Sequence, residues 1–198
     1  LALAPQEIAA RDLTDPDSFL SRVAEPCRPV VIRGLVSAWP AVSAGRRSPR
    51  ELRDYLARFD AGGEAEVFVG ESRIAGKYYY SDDLRGFNFS RALMRFGDAV
   101  ERIVATSVEA TGRSMYLGSV PTEQYLPGFA AENSLSVLKT NVTPRIWLGH
   151  ASNVSAHYDT MDNLACVVAG TRRFTLYAPE TIDRLYISPI DHTMAGQP

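Results

Sequence analysis

Histidine and cysteine are scarce in this chain, and there is no long apolar run. Three histidines occur in 198 residues, so imidazole chemistry must be drawn from His150, His157 and His192. Cys27 and Cys166 are the only cysteines; they suit a reducing cytosol, and Cys166 lies in an apolar run where a packing role is expected. No stretch is apolar for long enough to span a bilayer. Leu1-Ala-Leu-Ala lacks the charged and apolar regions of a signal peptide, so the expected location is cytoplasmic. Neither sign of charge dominates: 21 Lys and Arg stand against 23 Asp and Glu, a net charge of −2, which leaves no global field for nucleic acid. No repeat or low-complexity segment occurs. What remains is an ordinary globular composition, 45% hydrophobic and 22% charged, long enough for one domain with a substantial core.

Along the chain, Thr14-Asp15-Pro16-Asp17 signals a helix start, with Phe19, Leu20 and Val23 on one face. Val30-Val31-Ile32 is β-branched and predicts a buried strand, followed by Gly34 and a Trp39-Pro40 turn; Trp39 is expected as a core anchor. Ser48 and Pro49 open a second helix through Leu56. Glu66–Val69 reads as a strand. Lys77-Tyr78-Tyr79-Tyr80, if extended, puts Tyr78 and Tyr80 on one face and Tyr79 on the other, suited to sheet packing or to lining a groove. Ser90 reads as the cap of a helix over 91–105 carrying Leu93, Phe96, Val100 and Val104. Met115-Tyr116-Leu117 reads as a strand, Pro121–Leu126 as a short helix, and Pro179–Tyr186 as one or two helical turns.

The most informative stretch runs from Arg145 to Pro179. Arg145–Leu148 predicts a strand ending at Gly149. Asn163–Val168 is a second apolar run, Ala169-Gly170-Thr171 reads as a hairpin turn, and Arg172–Tyr177 as the returning strand. Between them lie His157 and Asp159, which share a face if the segment is extended. An imidazole beside a carboxylate makes two thirds of the 2-His-1-carboxylate triad that holds Fe(II) with positions left open. On its own, His-x-Asp is a common tripeptide that more often marks a surface pair. Here it stands in order with Asn163, Gly170 and a basic residue two after that glycine.

That combination resembles the JmjC and cupin-like 2-oxoglutarate oxygenases, especially the asparaginyl-hydroxylase type that inhibits hypoxia-inducible factor. Arg28-Pro-Val-Val-Ile-Arg-Gly34 with Ala38-Trp39-Pro40, and Ser114-Met-Tyr-Leu-Gly118, extend the resemblance over most of the chain. It implies a double-stranded β-helix, a cupin-like jelly roll that is mainly β with flanking helices. Residues 1–110 would form an N-terminal α/β part and 111–198 the first portion of the jelly roll, in one continuous domain. It implies His157 and Asp159 as iron ligands, Tyr116 and Asn163 in the 2-oxoglutarate pocket, and Arg172 (or Arg173, one register away) on the distal carboxylate. Where the hydroxylases carry a threonine, this chain has Val154 beside Ser155, so Ser155 is the nearest hydroxyl for that contact.

The resemblance places the third iron ligand on a strand later than His192, and neither His150 nor His192 sits where it belongs. The chain therefore reads as C-terminally truncated, inactive or nearly so as a 198-residue piece, with any homodimer formed only at full length. The implied reaction couples decarboxylation of 2-oxoglutarate to hydroxylation of a protein side chain or another macromolecular or small substrate, a tRNA base among them. Two other readings stand beside it: a cupin iron enzyme without 2-oxoglutarate, which needs neither Tyr116 nor Arg172, and a non-catalytic binding module.

Overall fold

A computed structural model describes residues 5–107, 112–139 and 142–184. In chain order the elements are β1 (Gln6–Ala9), α1 (Pro16–Phe19), β2 (Val30–Arg33), α2 (Pro40–Arg47), α3 (Pro49–Ala57), β3 (Glu64–Gly70), β4 (Lys77–Tyr78), β5 (Ser90–Arg95), α4 (Phe96–Thr106), β6 (Ser114–Pro121), α5 (Thr122–Tyr125), α6 (Phe129–Glu132), β7 (Arg145–Gly149) and β8 (Asn153–Val154). The main sheet is antiparallel throughout, in the order β5-β3-β6-β7, and two short parallel pairs, β1-β2 and β4-β8, flank it.

Helices α2, α3 and α4 pack on one face of this sheet, while α1 packs with β1 and β2. Phe96, Ala99, Val100 and Ile103 recur at helical spacing along α4 and bury themselves with Val67 of β3, Leu117 and Val120 of β6, Leu56 of α3 and Ala41 and Ala44 of α2. Leu117 and Val120 are three residues apart and both face the core, which a regular strand forbids. An irregularity between them in the β6–β7 ladder, with Ser119 at φ 54°, supplies the extra residue. Arg145 secures it, donating from Nε to Ser119 Oγ and from a terminal nitrogen to Ser119 O, both at 2.6 Å.

Several expectations hold. Asp15 caps α1 through a reciprocal pair with Ser18, and Ser48 caps α3 by accepting from Glu51 N. Tyr78 and Tyr80 are buried while Tyr79 is 45% exposed. Others need correction. Residues 90–95 are strand, not helix: they pair with β3 from Glu64↔Arg95 to Val69↔Ser90, and Leu93 points to solvent. The helix begins only at Phe96, whose N–H goes to Gly63 O. Pro40 opens helix α2 where only a turn was expected. No local side chain caps it. Asn133 does so from 92 positions away, accepting from Ala41 N through Oδ1 while its amide donates to Tyr55 Oη and Phe129 O. Trp39 is half-buried and tied by Nε1 to Ser134 O.

The predicted strands over 163–168 and 172–177 lie in no ladder among the described residues, although Gly170 does take the left-handed turn conformation at φ 71°. A helix carries its hydrogen bonds within itself, but a strand needs a neighbour, and none of the described segments pairs with this one. A closed jelly roll is accordingly not formed by the described residues; they make strands and helices around one four-stranded sheet. No helix among them is long and apolar enough to cross a membrane.

Candidate metal and co-substrate site

The segment bearing His157 and Asp159 leaves the sheet at Gly149, where β7 passes so close to β6 that an added Cβ would stand 2.6 Å from Met115 O. His150 follows. Its backbone N–H donates to Met115 O, its Nδ1 accepts from Met115 N at 2.9 Å, and its Nε2 lies 3.0 Å from Thr106 Oγ1, which in turn donates to Arg102 O. Both ring nitrogens are thus engaged in tying β7, β6 and the end of α4 together, and His150 has none left for a metal.

The chain then pairs as β8 with β4. Gly76 makes this possible: it sits at φ 74°, and a Cβ there would come within 2.6 Å of Ala151 O. Asn153 N donates to Gly76 O, and Tyr78 pairs with Val154. Three residues on, His157 Nδ1 meets the carbonyl of its neighbour Ser155 at 2.8 Å. A carbonyl only accepts, so Nδ1 is the donor, and in the neutral ring the lone pair lies on Nε2. Asp159 is fixed from the other side, its Oδ2 accepting from Asn163 Nδ2 at 2.9 Å while the same amide reaches Met161 O. That leaves Nε2 and Oδ1 facing each other at 3.8 Å, with both side chains about half exposed.

This separation is too long for a hydrogen bond. Two ligands each about 2.1 Å from one ion and at right angles stand about 3 Å apart, so a small swing of either side chain sets both on a shared cation. Each donor is held by a hydrogen bond on its far atom, as orienting partners hold metal ligands. The donor set and its geometry therefore fit a divalent ion with N and O preference. Among the described residues no third His, Cys, Asp or Glu joins them, and His192 lies outside those residues.

A second group of residues assembles on β6. The Tyr116 ring lies 6.0 Å from that of Tyr78 and 6.3 Å from that of Phe68, beside a stack of Phe68, Phe89 and Phe87. Burial pushes the Tyr116 phenol above its ordinary value, opposed by the charge of Arg172 and by a hydrogen bond from it. Arg172, 56 positions along the chain, thus lies near enough to Tyr116 for its charge to act on the phenol. The segment is steered here by a close approach at α2, where a Cβ on Gly45 would lie 2.9 Å from Val168 O and 3.0 Å from Ala169 Cβ.

Tyr78 stands between the two groups. Its hydroxyl donates to Ser114 Oγ at 2.9 Å, its ring faces Tyr116, and its backbone pairs with Val154, just before Ser155. The tyrosine run stands out in the sequence, whereas Gly76 and Asn153 do not: Gly76 follows Ala75 in a loop with no regular pattern, and only its close approach to Ala151 reveals its part. Ser155 acts here through its carbonyl, while Val154 is 46% exposed on β8.

Comparison with known proteins identifies the family. The model of the cupin-like domain matches residues 16–198. Jumonji C domain-containing protein 5 of Drosophila melanogaster is 25% identical over 190 residues, covering 91% of this chain and 43% of that protein. tRNA wybutosine-synthesizing protein 4 of Aspergillus oryzae is 26% identical over 190 residues, covering 88% and 16%. Lysine-specific demethylase 8 of Danio rerio is 25% identical over 178 residues, covering 86% and 40%. The chain spans less than half the length of these curated relatives. With a family match running from the first helix through the His157–Asp159 segment, the chain belongs to the cupin-like domain family, and Jumonji C domain proteins are among its relatives.

Proposed function

We propose that this chain carries the site of an Fe(II)- and 2-oxoglutarate-dependent dioxygenase that hydroxylates a C–H bond. The observation that supports this most is the mutual orientation of His157 Nε2 and Asp159 Oδ1, each freed toward the other by a hydrogen bond behind it. These two donors hold the ion. The third protein ligand comes from outside the described residues, since His150 is engaged elsewhere. When bound, iron and 2-oxoglutarate supply the oxidation: dioxygen and the co-substrate give succinate and carbon dioxide, and one oxygen atom enters the substrate.

The residues on β6 and beyond Gly170 bind and orient the co-substrate. Arg172 offers a charged, forked donor set to a carboxylate. Tyr116 adds a phenolic donor, protonated at neutral pH, whose pKa burial raises further. The ring stack of Phe68, Phe89 and Phe87 screens this side from water. The Arg172–Tyr116 contact also favours a 2-oxoglutarate enzyme over a cupin iron enzyme that dispenses with it. Asn163 orients Asp159, and Ser155 orients His157. The named relatives point to different substrates, a lysine and a tRNA base, and hydroxylation of carbon is the step retained here because removal of an N-methyl group also begins with it.

The test is succinate formation by the full-length protein with Fe(II), 2-oxoglutarate and oxygen. Asp159→Ala is expected to abolish it, and Arg172→Gln to raise the KM for 2-oxoglutarate at least about tenfold, the loss of one charge-assisted contact. Succinate formation untouched by Asp159→Ala would refute the assignment.

A further inference from the structure

An open groove of about 620 Å³ runs along β4 and ends at Ser155, the residue whose carbonyl holds the His157 ring. Arg73, Lys77, Tyr79, Asp82, Asn88 and Asn153 line it. Arg73 and Lys77 are exposed, and neither side chain has an acidic partner among the described residues. The floor is rigid. Asn88 donates to Lys77 O at 2.9 Å, accepts from Tyr79 N at 2.9 Å and donates its own N–H to Tyr79 O, while β8 takes the other side of β4. With the backbone engaged on both sides, recognition falls to side chains: two cations, the exposed Tyr79 ring and the amide of Asn153.

We propose that this groove binds an acidic peptide segment and leads the residues that follow it toward the His157–Asp159 pair. Only the second half of this statement rests on the oxygenase reading. The two unpartnered cations supply the charge complementarity, and the groove's open side suits an extended segment. Asp82 in the same lining marks a position where the segment carries no acid. That carboxylate, together with a net charge of −2, opposes the continuous charge of a nucleic acid backbone.

The test uses the full-length protein without iron or 2-oxoglutarate, and fluorescence anisotropy with a labelled peptide of alternating glutamate and alanine. Controls are the same peptide with glutamine or lysine in place of glutamate, and a labelled single-stranded oligonucleotide. The glutamate peptide is expected to bind tighter than the glutamine one. Arg73→Glu with Lys77→Glu should weaken it at least about tenfold and favour the lysine peptide. The milder pair Arg73→Gln and Lys77→Gln, with an unchanged melting temperature, guards against misfolding and should weaken it in the same direction. Equal binding of the glutamate and glutamine peptides, indifference to both double variants, or preference for the oligonucleotide would each overturn the proposal. No turnover is read, so failure here is distinct from failure to form succinate.

Discussion

Leu117, at the centre of the sheet, exposes none of its surface, whereas Tyr158, between the two candidate iron ligands, exposes 84%. The two residues stand for two regions held by different forces. From α2 to β7 the chain is fixed by apolar burial between helices and sheet. From Ala151 to Arg184 it is fixed at a few points, among them Gly76 against Ala151 and Val168 against Gly45 and the edge of the core. The first region supplies stability and the Tyr116 phenol, and the second supplies the remaining donors. A site built on the second can be altered with little effect on the fold, and the fold can be weakened without touching the site.

The largest effect should come from the core. Phe96, 1% exposed, cut to alanine is expected to cost about 3–5 kcal/mol in urea unfolding, while Tyr158→Ala stays within about 0.5 kcal/mol. Equal costs would erase the distinction between the regions. Next is Gly76→Ala. The added Cβ meets a carbonyl oxygen in a left-handed conformation, and about 1–3 kcal/mol should be lost together with a change in the His157 imidazole resonances. Unchanged resonances would mean that β4 does not position the segment.

A smaller effect separates the regions by pH. Tyr116, Tyr78 and Tyr55 all have pKa values raised above 10.0, burial being the first cause for each. In the unfolded chain these phenols ionise near pH 10, while in the fold they stay protonated to higher pH. The folded state then binds more protons, so their contribution is full below pH 10 and is lost as pH rises from there through the folded values. Denaturation midpoints should fall above pH 10, less steeply in Tyr78→Phe. Removing Arg172 takes away the one influence that lowers the Tyr116 value, so spectrophotometric titration of Arg172→Gln should show that phenol ionising at still higher pH.

The same division governs what the sequence revealed. The caps of α1 and α3 are local, Asp15 with Ser18 and Ser48 with Glu51, and both helices were legible. The cap of α2 is Asn133, far along the chain, so nothing near Pro40 announced a helix. Residues 90–95 satisfy helical and alternating patterns alike, and only pairing with β3 decides between them. The spacing of His157 and Asp159 was enough to expect them on one side. The nearness of Arg172 to Tyr116 depends on where the sheet holds Tyr116, which no local pattern gives. The structural duty of His150 depended on Met115 and Thr106, both distant in sequence.

The most direct measurement of the central claim is anaerobic Fe(II) titration of the full-length protein by calorimetry, with 2-oxoglutarate present, for wild type, His157→Ala and Asp159→Ala. The account predicts stoichiometric binding in the wild type, its loss in both variants, and melting temperatures within a few degrees of one another measured without iron. Iron affinity unchanged in either variant would contradict it.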